Sequence, residues 1–164
     1  MNKLEKRILL GLGCVVAVLL ALVLTRKSPE REIIVNPFVA PPFEATAVAG
    51  IPTVSDKTGY GVFALGEHAT VSLHSNPVVA NGGAQVYFAV SSGSTAWVRL
   101  RLMDGAGNTI GETGLLRPGE YVEWVALKTI PAEPLVTARI LTYEPDTYYS
   151  LGSANAQLML QITN

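Results

Sequence analysis

The chain has 164 residues, of which 49% are hydrophobic and 15% charged, and its formal net charge is −1 at pH 7. Half of its twelve basic residues lie before Glu32, whereas from Glu32 onward there are six basic and eleven acidic residues, a net charge of −5. Nucleic-acid recognition requires a basic face, so the composition argues against a nucleic-acid partner. About 120 residues follow the N-terminal region, enough for one domain with a hydrophobic core.

The first predicted element is a transmembrane helix at residues 8–25. These residues carry no charge and are flanked by basic residues on both sides, and a helix of this length spans about 27 Å of hydrocarbon. A cleaved signal peptide would need small residues before the cleavage point, but the run ends in Leu22-Val23-Leu24-Thr25. Cys14 follows Gly11-Leu12-Gly13, without the leucine that a lipoprotein signal places three residues before its cysteine. We therefore expect an uncleaved anchor, preceded by a cytoplasmic head at residues 1–7.

The orientation of the anchor depends on the charges around it. Three Lys or Arg residues lie on each side of the span, so the positive-inside rule is nearly balanced. The compact basic head and the acidic remainder both favour a cytoplasmic N-terminus. The one cysteine, Cys14, lies in the span, which fits an exported domain and fits a reducing compartment as well. The sequence thus predicts a single-pass protein of the cell membrane whose C-terminal domain is extracytoplasmic.

Residues 26–42 are predicted to form a stalk, because prolines disfavour both helix and central strand. The prolines of this segment are Pro29, Pro37, Pro41 and Pro42. Extended over its whole length the stalk reaches roughly 50 Å, which keeps the domain close to the membrane. The run Ile33-Ile34-Val35 fits a short first strand equally well.

From residue 43 onward the sequence alternates between short β patterns and turns. Apolar residues at every second position predict strands at Gln85–Val90, Trp97–Asp104, Leu135–Glu144 and Ala154–Thr163. The residues expected to point inward are Val86, Phe88, Val90, Val98, Leu100, Leu102, Val136, Ala138, Ile140, Ala156, Leu158, Leu160 and Ile162. Asp104–Asn108 and Arg117–Glu120 contain the residues that tight turns require. No helical apolar period follows residue 32, so we predict an all-β domain at residues 43–164, an antiparallel β-sandwich of six to eight strands.

The order of these features resembles that of a known family. The features are Asn76-Pro77 after an early strand, the Val86-Tyr87-Phe88 strand, the Asp104–Asn108 hairpin, GLLRPG at residues 114–119, Trp124 before Leu127, Ala138-Arg139-Ile140, Tyr143 and Leu151-Gly152. Over residues 70–162 they are similar to small Gram-positive surface proteins with one N-terminal anchor and one immunoglobulin-like domain. The resemblance implies an immunoglobulin-like sandwich at the cell surface and transfers no catalytic residue.

Signals for catalysis or metal binding are weak. His68 and His74 are the only histidines, and on one strand they would lie about 20 Å apart, too far to share an ion; we expect both at the surface. No serine lies in a nucleophile elbow, and Asp104–Asn108 lacks the twelve-residue calcium pattern. A glycosidase-type pair among the eleven acidic residues stays open, although surface positions are the default for them. We therefore expect no enzyme, no cofactor and no metal site.

The first candidate for a binding surface is a row on one strand. Trp97, Arg99 and Arg101 share its outward face, and Trp and Arg are enriched at interaction hot spots. The alternative is structural, with Trp97 capping the core and both arginines paired with acids of neighbouring strands, Glu123 among them.

The second candidate is an aromatic loop. Tyr143, Tyr148 and Tyr149 surround Pro145-Asp146, and tyrosines in end loops give contact area at low entropic cost. Tyrosines also commonly pin a loop onto its own sheet, which is the structural alternative.

Together these observations favour a membrane-tethered interaction module, a small subunit or accessory of a cell-surface assembly that binds another surface protein through a sheet edge or an end loop. One alternative is a carbohydrate- or cell-wall-binding module that stacks sugars on the tyrosine loop. A second is a fibre subunit assembled by edge-strand addition.

Overall fold

The computed structural model describes residues 38–162, and within this range the chain consists of β-strands and loops. The predicted head, the predicted transmembrane helix and residues 26–37 of the stalk lie outside the described range. Residues 38–42 have no regular secondary structure, and the carbonyl oxygen of Pro42 accepts the Leu115 N–H at 2.9 Å. Among residues 38–162 there is no helix long and apolar enough to cross a membrane.

Eleven strands make up the described part of the chain. They are β1 (Val48–Ala49), β2 (Tyr60–Leu65), β3 (Ala69–His74), β4 (Val78–Ala80), β5 (Gly83–Val90), β6 (Trp97–Met103), β7 (Thr109–Glu112), β8 (Glu120–Ala126), β9 (Leu135–Tyr143), β10 (Ser150–Met159) and β11 (Gln161–Ile162). This number exceeds the predicted six to eight because β1, β4 and β11 have only two or three residues, too few to produce a visible alternation in the sequence.

The strands form two sheets. The larger has the order β1-β8-β5-β3-β2, and β4 pairs with the first half of β5 and with β11, which makes seven strands. The smaller has the order β10-β9-β6-β7. All strand pairs are antiparallel except β4 with β11. The prediction of an all-β domain with two antiparallel sheets is therefore confirmed.

A single core fills the space between the sheets. On β6, Val98, Leu100 and Leu102 are all fully buried, as the alternation predicted, and Phe88 of β5 is fully buried opposite them. Burying a side chain as large as phenylalanine contributes roughly 1.5–3 kcal/mol. The predicted inward residues of β9 are buried in the same cluster: Val136, Ala138 and Ile140.

The end of the chain departs from the predicted pattern at Ile162. Leu158 and Leu160 are buried as expected, but Ile162 is 36% exposed. The reason is that β10 ends at Met159 and the chain then changes sheets, so that β11 pairs with β4 of the larger sheet. A change of sheet breaks the period of two that relates side-chain position to face.

A strap at residues 50–59 crosses the larger sheet. It must do so because β1 and β2, which it connects, lie at opposite edges. Val54 of the strap is buried yet does not belong to the core cluster between the sheets. The carbonyl oxygen of Asp56 lies 3.3 Å from His74 Nε2, on the outward face of β3. The expectation of a surface position is therefore wrong for His74, which the strap covers to 9% exposure.

Candidate functional site

The two predicted arginines lie on the outward face of β6 and converge on one carboxylate. Arg99 Nη2 lies 2.9 Å from Glu112 Oε2 of β7, and Arg101 Nε lies 3.3 Å from the same oxygen. Arg99 Nε also donates to the carbonyl oxygen of Thr113 at 2.9 Å. The prediction of Glu123 as a partner is wrong, because Glu123 lies on β8 in the other sheet and accepts from Gln85 Nε2 instead.

Glu112 is the electrostatic centre of this group. Lys128 Nζ approaches its second oxygen at 3.2 Å, so one carboxylate serves three cations. Burial raises the pKa of Glu112, but the hydrogen bond from Lys128 and the charges of Arg99 and Arg101 outweigh it, and the pKa lies below its ordinary value. Glu112 is therefore ionised at neutral pH and fixes the positions of the two arginines.

Trp97 packs at the end of β6 against the tyrosine loop. Its ring meets Tyr148 edge to face, with 5.2 Å between centroids, and meets Phe43 in the same manner at 4.8 Å. The Arg117 guanidinium lies over the Phe43 ring at 3.7 Å, a cation–π contact. Tyr143 is the cross-strand partner of Trp97 in the β6–β9 register. The two predicted candidate groups thus meet at Trp97.

The loop at residues 144–149 holds its tyrosines in different ways. Tyr148 has a φ of 59° and Asp146 a φ of 68°, the left-handed region that costs a non-glycine residue energy. Backbone bonds close the loop, with Tyr148 N–H donating to the Glu144 carbonyl at 3.0 Å. Tyr149 is 72% exposed. Tyr148 is therefore fixed by the fold and the Trp97 ring, whereas Tyr149 presents its ring to solvent.

The outward face of the smaller sheet carries an excess of positive charge. Arg99, Arg101 and Arg139 lie on it, and we call these three residues the basic face. Arg101 and Arg139 are direct cross-strand partners, an arrangement that destabilises a sheet unless another charge compensates it. Arg139 is exposed and makes no ion pair within residues 38–162.

Among residues 38–162, strand β10 forms a free edge of the smaller sheet. It pairs with β9 on one side, and within this range its one further backbone hydrogen bond runs from Met159 N–H to the Ser75 carbonyl at 2.7 Å. Its ten residues, SLGSANAQLM, include no charge and no proline. Exposed edges of this kind present unpaired N–H and C=O groups, and proteins usually protect them with charges, prolines or short length. β10 has none of these three protections, and its register with β9 is irregular only at its start, between Ser150 and Gly152.

Sequence reasoning missed a groove along β8. It has a volume of about 670 Å³ and is lined by Trp124, Tyr121 and Val48 together with the β4–β5 turn. Trp124 is 39% exposed. Glu123 and Trp124 are both exposed although they are consecutive, because β8 and β5 shift register between Gln85 and Phe88. The one sequence signal was a tryptophan that interrupts the alternation of β8.

The carboxylates that line this groove are already bound by the fold. Glu44 Oε2 accepts the Gly114 N–H at 2.6 Å and Oε1 accepts the Thr46 hydroxyl at 2.7 Å. Burial raises the pKa of Glu44, but these hydrogen bonds together outweigh it, so its pKa lies below the ordinary value. The groove also contains Glu112, which is held by its three cations, and Glu123, which accepts from Gln85.

The Asp104–Asn108 segment, which was weighed against a calcium-binding loop, is a hairpin turn. Asp104 Oδ1 accepts the N–H groups of Ala106 and Asn108 at 3.0 and 2.8 Å, which closes the hairpin between β6 and β7 and confirms the turn prediction. Within residues 38–162 no three His, Cys, Asp or Glu side chains converge on a point where a metal ion would bind.

No known protein family matches the chain, and no curated protein matches it either.

Proposed function

We propose that this chain is a non-enzymatic interaction module tethered to the cell membrane. In this proposal residues 8–25 form the membrane span, and an immunoglobulin-like domain lies on the extracytoplasmic side. The domain binds another surface protein as a small subunit or accessory of a larger assembly. The contact is β-strand addition, in which an extended segment of the partner continues the smaller sheet beyond β10.

The free edge of β10 is the observation that carries this proposal. Ten residues without charge or proline offer a longer ladder than any other edge strand among residues 38–162. The opposite edge of the same sheet, β7, has four residues and ends at Glu112. In the larger sheet β1 and β11 have two residues each, and β2, which is also uncharged, has six. Length favours β10, because each residue pair adds backbone hydrogen bonds.

The test is affinity capture of the full-length chain from the membranes of cells that produce it, with one charged substitution on the β10 edge. Gln157→Lys places a cation on the outward face of the edge strand, beside the side chains of an added strand, and we expect the captured partner to be reduced by roughly tenfold, which corresponds to about 1.4 kcal/mol. A partner that is captured equally well by Gln157→Lys would overturn the proposal.

Two control variants separate the edge from other effects. Gln157 Nε2 donates to Thr137 Oγ1 at 3.3 Å, so Thr137→Lys breaks the same hydrogen bond but places its charge on β9, one strand inward. Val62→Lys places a cation on the uncharged β2 edge, where Val62 is 71% exposed. We expect both controls to retain the partner. Loss of the partner only in Val62→Lys would move the contact to β2.

The groove along β8 favours a second candidate, a carbohydrate- or wall-binding module. Sugar rings stack on exposed aromatic faces, and Trp124 and Tyr121 line a concave surface of sufficient size. The tyrosine loop is the weaker sugar site, because the Tyr148 ring packs on Trp97. Binding of the full-length chain to isolated cell wall would support this candidate if Trp124→Ala abolished it. Wall binding that is lost in Tyr149→Ala and kept in Trp124→Ala would place the site on the tyrosine loop.

A further inference from the structure

A single row of side chains crosses all four strands of the smaller sheet. In register, Glu112 of β7 faces Arg101 of β6, Arg101 faces Arg139 of β9, and Arg139 faces Asn155 of β10. All four belong to the outward face, because the alternate positions of β6 and β9 are buried in the core. The row therefore reads acidic, basic, basic and neutral from β7 to the open edge.

The charge of this row is compensated on one side only. Glu112 lies at the β7 end and is shared with Arg99 and Lys128. Arg139 lies between Arg101 and Asn155 and has no acidic neighbour in the described part of the chain. The neighbouring rows offer none, since Leu141 pairs with Ser153 and Thr137 with Gln157. A strand added beyond β10 would place a side chain in this row next to Asn155, on the uncompensated side of Arg139.

We propose that the strand which adds to β10 carries an acidic side chain in register with Asn155, where it pairs with Arg139. This inference deepens the proposed function and rests on it, since it names the chemistry of the partner at the same edge. Two strand spacings, about 10 Å, separate Arg139 from the added residue, a gap that an arginine and a glutamate side chain bridge together. The acidic residue completes the row at its open end.

The observations favour an acidic protein strand over two other occupants. A second copy of this chain, paired through β10, would supply no carboxylate, because β10 contains none. An anionic polymer such as polyphosphate would neutralise Arg139 but would not need the uncharged edge beside it. Only an acidic strand uses both the free backbone groups of β10 and the charge of the basic face.

The experiment measures binding of three synthetic peptides to the full-length chain in detergent. Each peptide has ten residues of alternating valine and threonine, and they differ only at the fifth residue, which is glutamate, glutamine or lysine. We expect the glutamate peptide to bind about threefold more tightly than the glutamine peptide, because the pair with Arg139 spans two strand spacings and stays exposed to solvent. The lysine peptide should bind least tightly, and raised salt should reduce the differences.

Two variants of Asn155 test the register. Asn155→Glu supplies the carboxylate within the chain, so the preference for the glutamate peptide should disappear. Asn155→Gln keeps the row neutral at the edge and should keep the preference. Gln157→Lys should weaken the lysine peptide most and the glutamate peptide least, because its cation lies on the same outward face as Asn155, two residues along β10.

Each contrary result has its own meaning. Equal binding of the three peptides, lost in Gln157→Lys, would overturn the acidic partner and leave the β10 edge in place. Binding of none of them would overturn the edge and the inference together. Polyphosphate could displace the glutamate peptide and bind Gln157→Lys with undiminished affinity. That result would identify an anionic polymer as the occupant and would overturn the inference.

Discussion

Replacing Glu112 by glutamine tests how much the ion pairs of Glu112 contribute to the stability of the domain. The substitution keeps the shape of the side chain but removes the charge that Arg99, Arg101 and Lys128 share. Ion pairs with exposed partners contribute about 0.2–1 kcal/mol each. The Arg99 pair should lie at the upper end of this range because its side chains are 17% and 25% exposed, and the Lys128 pair at the lower end because Lys128 is 60% exposed. We expect the free energy of unfolding to fall by about 1–2 kcal/mol.

The assay is urea unfolding of the full-length chain in detergent, followed by tryptophan fluorescence. Both tryptophans of the chain, Trp97 and Trp124, lie in the β domain, so the signal reports the domain alone. Glu133→Gln is the matched control, because it removes the same charge from an exposed residue that has no ion pair in residues 38–162. The control should change stability by less than about 0.5 kcal/mol.

The pH dependence of this difference has a defined sign. The pKa of Glu112 is lower in the folded chain than its ordinary value, so its stabilisation is complete above the unfolded pKa, about 4.3, and is lost as the pH falls through the folded pKa. The difference in free energy of unfolding between Glu112→Gln and the unaltered chain should therefore be largest at pH 7 and should shrink below about pH 4. A variant as stable as the unaltered chain at pH 7, or a deficit that grows on acidification, would refute the reasoning.

Further substitutions test the packing around the candidate site. Gly114→Ala would place a Cβ 2.5 Å from the backbone nitrogen of Glu44, so we expect a loss of roughly 2 kcal/mol or more in the same unfolding assay, whereas Gly93→Ala, which has only a serine hydroxyl at 3.9 Å, should be neutral. Tyr148→Ala removes an edge-to-face contact worth about 0.5–1.5 kcal/mol and should change the tryptophan emission spectrum. Tyr149→Ala, at a residue 72% exposed, should leave both stability and emission unchanged.

The fold was predictable in strands that have one buried and one exposed face, because apolar and polar residues alternate along them. Strands β6 and β9 are long enough to alternate through several residues, and their buried positions agree with the sequence. In β5 the predicted Val86, Phe88 and Val90 are buried, but Ala89 between them is buried as well. Prediction failed where tertiary contacts replace alternation. His74 is buried by a strap that comes from a distant part of the sequence, and Ile162 is exposed because the chain changes sheets after β10.

The two arginines of β6 were predictable as a row on one face, but their contacts were not. The sequence placed Arg99 and Arg101 on one outward face, and their alternation with buried leucines sufficed for that. Nothing local indicated that both arginines would share Glu112, since this contact depends on the register between β6 and β7. The same limit applies to the β10 edge, because a strand becomes an edge through sheet order, which the sequence pattern does not encode.

Amide hydrogen exchange along β10 tests most directly whether this edge is where the protein binds. In the purified full-length chain, alternate amides of β10 face solvent and should exchange within the fastest class of strand amides, while those bonded to β9 exchange slowly. In native membranes, where the partner is present, we expect those solvent-facing amides of β10 to become as slow as the amides of β9. Exchange of β10 that is equally fast in both preparations would contradict strand addition at this edge.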